Sequence, residues 1–177
     1  MHSDKVIRII LTIYNAKEIE STRLLLTKPT NKDIPILENL WRNEAVRKFL
    51  GGTVTDEIIH QRIADLQNHW ELYNFGLLVV FEKFSQQIMG LCGLHHSDDG
   101  IEISYMFFPD FWEKGFASEA VKACVAYGFN VLKIERIIAI TQLENTKSCR
   151  LLNKIGMRHI SNFMRFNAIQ SVYELKR

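Results

Sequence analysis

The chain has 177 residues, of which 47% are hydrophobic and 24% charged, and its formal net charge is +2. That length holds one domain, or one domain with an appendage, and supplies enough apolar side chains for a proper core. A near-neutral balance does not suggest the clustered basic surface of a nucleic-acid binder, so no nucleic-acid partner is expected, whereas a small anionic ligand stays compatible.

The N-terminal run "KVIRIILTIY" is apolar, but Arg8 interrupts it and no small-residue cleavage site follows. It reads as an extra strand or an unpaired extension over residues 1–19, ahead of a domain over 20–177. No apolar run reaches the about 18 residues of a membrane helix, so no membrane partner is expected. "STRLLLTKPTNKD" predicts a strand over Arg23–Lys28 that stops at Pro29. A helix follows, capped by Thr30 or Asn31, with Pro35 in its first turn, where its missing N–H is tolerated. Leu37, Leu40 and Trp41 fall on one face of it. The next helix starts after Thr55, with Asp56 and Glu57 near its positive end and an apolar stripe of Ile59, Ile63, Leu66 and Trp70. "FGLLVVFEK", "QQIMGLCGLHH" and "IEISYMFF" are short apolar runs that predict an antiparallel meander, the last two joined by a turn through Asp99 and Gly100. A helix over Ala117–Phe129 carries the small residues Ala117, Ala120, Cys124 and Gly128 on one face, which lets it lie close to a sheet. "RIIAIT" lacks alternation and predicts a strand buried on both faces. A short helix capped by Asn145 and two closing strands, "RHISNFMRF" and "SVYELKR", complete the chain. The expected class is α/β (α+β), a mixed, mostly antiparallel sheet flanked by helices with one helix crossover.

Some residue types carry little chemistry here. Cys92, Cys124 and Cys149 are odd in number and lack a C-x-x-C pair, which argues against a disulfide framework or structural zinc and for a reducing, cytoplasmic compartment. Adjacent strand residues point to opposite faces, so His95 and His96 make a poor metal clamp, and no metal is expected. "DFWEKGFASEA" places Gly115 between a strand and a helix. Such a junction is either a plain tight turn or an anion site, because the first N–H groups of the helix lack internal partners and face its positive end.

The phrase "ISYMFFPDFWEKGFASEAVKACVAYGF" resembles the GNAT acyl-coenzyme A N-acetyltransferases, more narrowly their RimJ/RimL-type branch, whose members acetylate protein N-termini. Ile103, Tyr105, Pro109, Trp112, Lys114, Gly115, Ala117, Glu119 and Ala120 match its usual "IGY…P…WGKGYATEA". The second family phrase, N-x-x-S-x-x-x-x-x-K-x-G-[FM], is met by Asn145, Ser148, Lys154, Gly156 and Met157, and "ESTRLLL" is a typical opening. The resemblance spans about Glu20 to the C-terminus. It implies acetyl-coenzyme A (acetyl-CoA) as co-substrate, its pantetheine arm slotted like an extra strand between two splayed strands. The arm should bond backbone groups of Met106, Phe107 and Phe108. The pyrophosphate should rest on amides of Glu113, Lys114, Gly115, Phe116, Ala117 and Ser118. Asn145 should hydrogen-bond the arm, and Ser148 should face the sulfur. Glu113 departs from the branch, which often has glycine there; a carboxylate repels a pyrophosphate unless it points to solvent.

Acetyl transfer to an amine requires a neutral amine, a donor for the developing oxyanion and support for the leaving thiolate. No covalent enzyme intermediate is needed, so the cysteines have no required role. Glu102 is the candidate base, its setting among Ile101, Ile103 and Tyr105 raising its pKa; a solvent-facing structural role is the alternative. Ser148 is the candidate for thiolate support, with His95 and His96 as backup bases and backbone amides around Met106–Phe108 for the oxyanion. An α-amine, with a pKa of about 8, is about one-tenth neutral at pH 7, while a lysine amine at about 10.4 is neutral only about four parts in ten thousand. The lack of one unmistakable base therefore favours an α-amine or an activated small amine. The expected activity is acetyl-CoA-dependent N-acetylation of a primary amine in a ternary complex, by a monomer or homodimer. A catalytically idle acyl-CoA sensor on the same fold is the alternative. Acceptor contacts are expected from the Lys32–Tyr73 helices and the C-terminal strands.

Overall fold

The computed structural model describes residues 18–177, so the expected strand or extension in "KVIRIILTIY" lies outside the described residues. In chain order the elements are β1 (Glu18–Glu20), β2 (Leu24–Thr27), α1 (Ile34–Arg42), α2 (Glu44–Arg47), α3 (Asp56–Tyr73), β3 (Leu77–Glu82), β4 (Ile88–Ser97) and β5 (Gly100–Phe107). A single 3-10 turn (Pro109–Phe111) leads to α4 (Phe116–Asn130), β6 (Arg136–Gln142), α5 (Thr146–Lys154), β7 (Arg158–Arg165) and β8 (Ala168–Lys176). Among the described residues the strands form one eight-stranded sheet in the order β1-β2-β3-β4-β5-β6-β8-β7. Neighbours are antiparallel except β5 and β6, which α4 joins as a crossover. This is the mixed, mostly antiparallel α/β architecture expected from the sequence.

The apolar stripes explain the layers. Leu37, Leu40 and Trp41 of α1 and Ile59, Ile63, Leu66 and Trp70 of α3 are all buried. Arg42 pairs with Glu38 one turn back on α1 and with Asp56 at the start of α3, and the second pair ties the two helices together. On α4, Ala120, Val121, Cys124, Val125 and Gly128 are buried. Cys124 Sγ meets Cys92 Sγ of β4 at 3.7 Å, whereas the His69 ring of α3 lies 6.4 Å from the ring of His95. Cys92 and His95 are an odd number apart on one strand, so they point to opposite faces of the sheet, and α4 covers the face of Cys92.

Two short elements are added, and two local expectations are corrected. β1 is a three-residue strand in which Ile19 pairs with Leu26 and is only 6% exposed. α2 is a single turn, capped by Asn43 Oδ1, which accepts from Val46 N at 3.1 Å. Thr30 does not cap α1; its N–H and hydroxyl donate to Asp33 Oδ2 at 2.7 and 2.8 Å, and the helix begins after that aspartate. Ser97 pairs with Gly100, so Asp98 and Asp99 form the hairpin turn and Gly100 opens β5.

The parallel pairing of β5 and β6 is brief. Only Ile101↔Ile137 and Glu102↔Ile138 are paired. Beyond them β5 stays bound to β4 as far as Phe107↔Gly90, and β6 stays bound to β8 as far as Gln142↔Gln170. Each strand is thus held straight by its outer partner, and the two inner edges diverge into a wedge.

Candidate active site

The wedge is lined by backbone of unequal availability. Phe108 N–H donates to Met89 O at 2.9 Å, and Phe108 O accepts from Phe111 N at 3.0 Å. Antiparallel alternation then turns Met106 toward β4 and the N–H of Phe107 toward the opening. Phe107 O is covered by Trp112 Nε1 at 2.7 Å. Of the three residues expected to meet the pantetheine arm, Phe107 is therefore the one that presents an amide to the wedge. Gly90 permits the tight β4–β5 approach here, since a Cβ on it would lie 2.0 Å from Met106 O.

At the mouth stands the α4 N-terminus. Glu113 and Gly115 both have positive φ, 60° and 80°, and the helical ladder opens with Glu119 N donating to Gly115 O at 3.0 Å. The amides of Phe116, Ala117 and Ser118 precede that bond and have no partner within the helix. Lys114 does not reach out as a free charge; its Nζ donates to Asp110 O at 2.7 Å, and its own carbonyl accepts from Arg23 Nη1 at 3.0 Å. Arg23 further lies 4.2 Å over the Phe116 ring. Glu119 accepts from Arg23 N, Arg23 Nε and Ser21 Oγ, each at 2.7 Å. Burial pushes the Glu119 carboxyl up, but these hydrogen bonds outweigh it and hold the group below the usual glutamate range. The carboxylate of Glu113 is 74% exposed and pairs with Lys147 of α5 at 3.0 Å. It points to solvent, and it links the two banks of the wedge.

Glu102 is the last β5 residue paired to β6, and His95 is its partner on β4. It thus sits at the vertex, on the face opposite to Ile101, Ile103 and Tyr105. Burial raises its carboxyl pKa, with His95, Arg165 and Ser97 opposing. His95 Nε2 lies 2.8 Å from Ser104 Oγ and its Nδ1 3.0 Å from His96 O. His69 is a structural link: His96 N donates to its Nε2 at 3.0 Å, so Nδ1 carries the proton and donates to Phe75 O at 2.9 Å. Burial lowers its pKa and keeps it neutral.

On the other face, Tyr105 Oη is 2.7 Å from Ser148 Oγ. Asn145 Oδ1 accepts from Ser148 N at 3.2 Å, the expected cap, which leaves the Asn145 NH2 as its free donor. The two catalytic candidates therefore lie on opposite faces at the wedge, Glu102 on the face of His95 and Ser148 on the face of α4. The sequence reading gave no role to Tyr105, Trp112 or Glu119, although all three lie in the motif, and did not single out Gly90, Arg23 or Lys147. The glycine inside an apolar strand was the available signal for Gly90. Cys92 and Cys124 are buried, and Cys149 is half-buried against the carbonyls of Gln142 and Leu143.

Residues 23–158 match the family model described as Acetyltransferase (GNAT) domain. The chain is 33% identical over 144 residues to the uncharacterized N-acetyltransferase p20 of Bacillus licheniformis, covering 77% of this chain and 79% of that protein. Among solved structures, a GNAT-family acetyltransferase from Bacillus anthracis superposes with a TM-score of 0.78 at 28% identity, covering 90% of this chain and 98% of that one. The fold is also that of the Vibrio cholerae spermidine N-acetyltransferase in complex with CoA and spermine, with a TM-score of 0.76 at 17% identity over 88% of this chain and 96% of that one.

Proposed function

The chain belongs to the GNAT acetyltransferase family and is an N-acetyltransferase, and on that premise we propose that it acetylates a primary amine, a protein N-terminal α-amine or a small-molecule amine, from acetyl-CoA held in the β5–β6 wedge. The observation that carries this reading is the wedge itself, an unpaired strand edge ending at the bare amides of a helix N-terminus. The residues present fit the co-substrate. Phe107 N–H suits the amide-rich arm, the amides of Phe116–Ser118 suit the pyrophosphate, and the exposed, Lys147-paired Glu113 leaves that loop free of an inward carboxylate. Acetyl-CoA supplies the thioester carbon that the amine attacks and a thiolate that leaves.

Glu102, at the vertex with a raised pKa, takes a proton from the amine as the new C–N bond forms. Ser148 donates a hydrogen bond to the sulfur as the C–S bond breaks and its electron pair moves to sulfur. The two matching motifs support a RimJ/RimL-type assignment, and the modest demand an α-amine makes on a base supports an N-terminal or activated small amine. The test combines thermal shift with acetyl-CoA and a thiol-release screen over N-terminal peptides, polyamines and amino acids. The reading expects a shift and amine-dependent thiol release; a shift without turnover across the panel overturns it in favour of an acyl-CoA sensor.

A further inference from the structure

Tyr105 and Ser148 lie 43 positions apart in the chain and meet at 2.7 Å across the floor of the wedge. A hydroxyl pair shares one hydrogen, and its direction decides what the other can do. Among the described residues, Ser148 Oγ is the one acceptor within reach of Tyr105 Oη. Were Ser148 the donor, the phenol hydrogen would be left in a partly buried site without a protein partner, the less favourable arrangement. With Tyr105 as donor both hydrogens are placed: the phenol bonds Ser148 Oγ, and the serine hydrogen is free to point into the wedge. Burial pushes the phenol pKa well up, so Tyr105 keeps its hydrogen across the working pH range. Both ends are fixed, Tyr105 by its pairing with Cys92 on β4 and Ser148 by the Asn145 cap.

We propose that Tyr105 is a positioning residue that donates to Ser148 and thereby aims the single serine hydrogen at the sulfur of bound coenzyme A. Accepting a hydrogen bond also makes the serine a stronger donor. The inference rests on the acetyl-CoA reading above and adds a residue to it. It concerns the leaving side of the reaction, so it is measurable without the amine.

The probe is coenzyme A bound to the full chain, its thiol titrated by the ultraviolet absorbance of the thiolate. In the wild type the bound thiol ionises at lower pH than free coenzyme A. Tyr105→Phe keeps the ring and binds coenzyme A with a Kd within about twofold of wild type, but moves the thiol pKa up by about half a unit to one unit. Ser148→Ala moves it at least as far, and the double variant moves it no further. With an accepted amine, Tyr105→Phe lowers kcat about three- to tenfold at unchanged KM for acetyl-CoA. If coenzyme A does not bind the wild type, the proposed function falls and takes this inference with it. If it binds, and either Tyr105→Phe or Ser148→Ala leaves the thiol pKa where it was, this inference alone is overturned. Should Tyr105→Phe not fold, the Ser148→Ala titration decides.

Discussion

Glu102 occupies a position with two opposed consequences. Burial raises its pKa, so the ionised form is relatively better accommodated in the unfolded chain. A raised carboxyl pKa means that the stability it contributes is present below the ordinary glutamate value and is lost as pH rises through the folded-state value. Glu102→Gln is therefore expected to raise Tm at pH 7–8 and to lose that advantage in acid, as thermal melts across pH will show. The same change is expected to lower kcat on the order of 100-fold if Glu102 is the base. A wild-type rate profile without an enzyme group titrating above the ordinary glutamate range would remove Glu102 from the chemistry. Gly115 gives a second test at this scale. Its φ of 80° is a conformation that valine adopts only at a cost of about 1–3 kcal/mol. Gly115→Val is expected to keep the fold and weaken acetyl-CoA binding at least tenfold by calorimetry, because the loop relaxes where the amides must converge. Unchanged affinity would return the loop to a plain turn.

The wedge is held in register by contacts between elements. Arg23 and Ser21, flanking the start of β2, grip Glu119 in the first turn of α4, so the N-terminus of that helix is placed by a strand far away in sequence. The depressed Glu119 carboxyl contributes stability above the ordinary glutamate value and loses it as pH falls through the lower folded value. Glu119→Ala is expected to cost about 1–3 kcal/mol in urea unfolding and to weaken acetyl-CoA binding as well. The Glu113–Lys147 bridge behaves differently because both side chains are mostly exposed. Lys147→Ala should change stability by no more than about 1 kcal/mol. α2, with four residues, escaped the sequence reading because it spans barely one helical repeat and leaves no recurrence to detect. The long ones, α3 and α4, were legible because their buried faces recur at spacings of three and four through several turns.

For the molecule as a whole, acetyl-CoA bound as proposed would complete an interrupted sheet. A ligand bound at 100 times its Kd adds about 2.7 kcal/mol of stability. That gain should appear as slowed hydrogen exchange in residues 103–107 and 139–142, the unpaired banks of the wedge, and leave β1 and β2 unaffected. The sequence by itself determined the longer elements, the mixed sheet, the glycine that opens α4 and the asparagine that caps α5, because hydrophobic period, turn chemistry and caps are local properties of the chain. It also marked the motif residues, since their types and spacings are written in order. Only the tertiary structure decided where β5 leaves β6, which amide of Met106–Phe108 faces the gap, that Glu113 turns outward, and that Tyr105 meets Ser148. Those outcomes depend on which outer strand holds each inner one straight and on how helices from distant segments pack across the sheet. Such contacts have no period for a sequence to display.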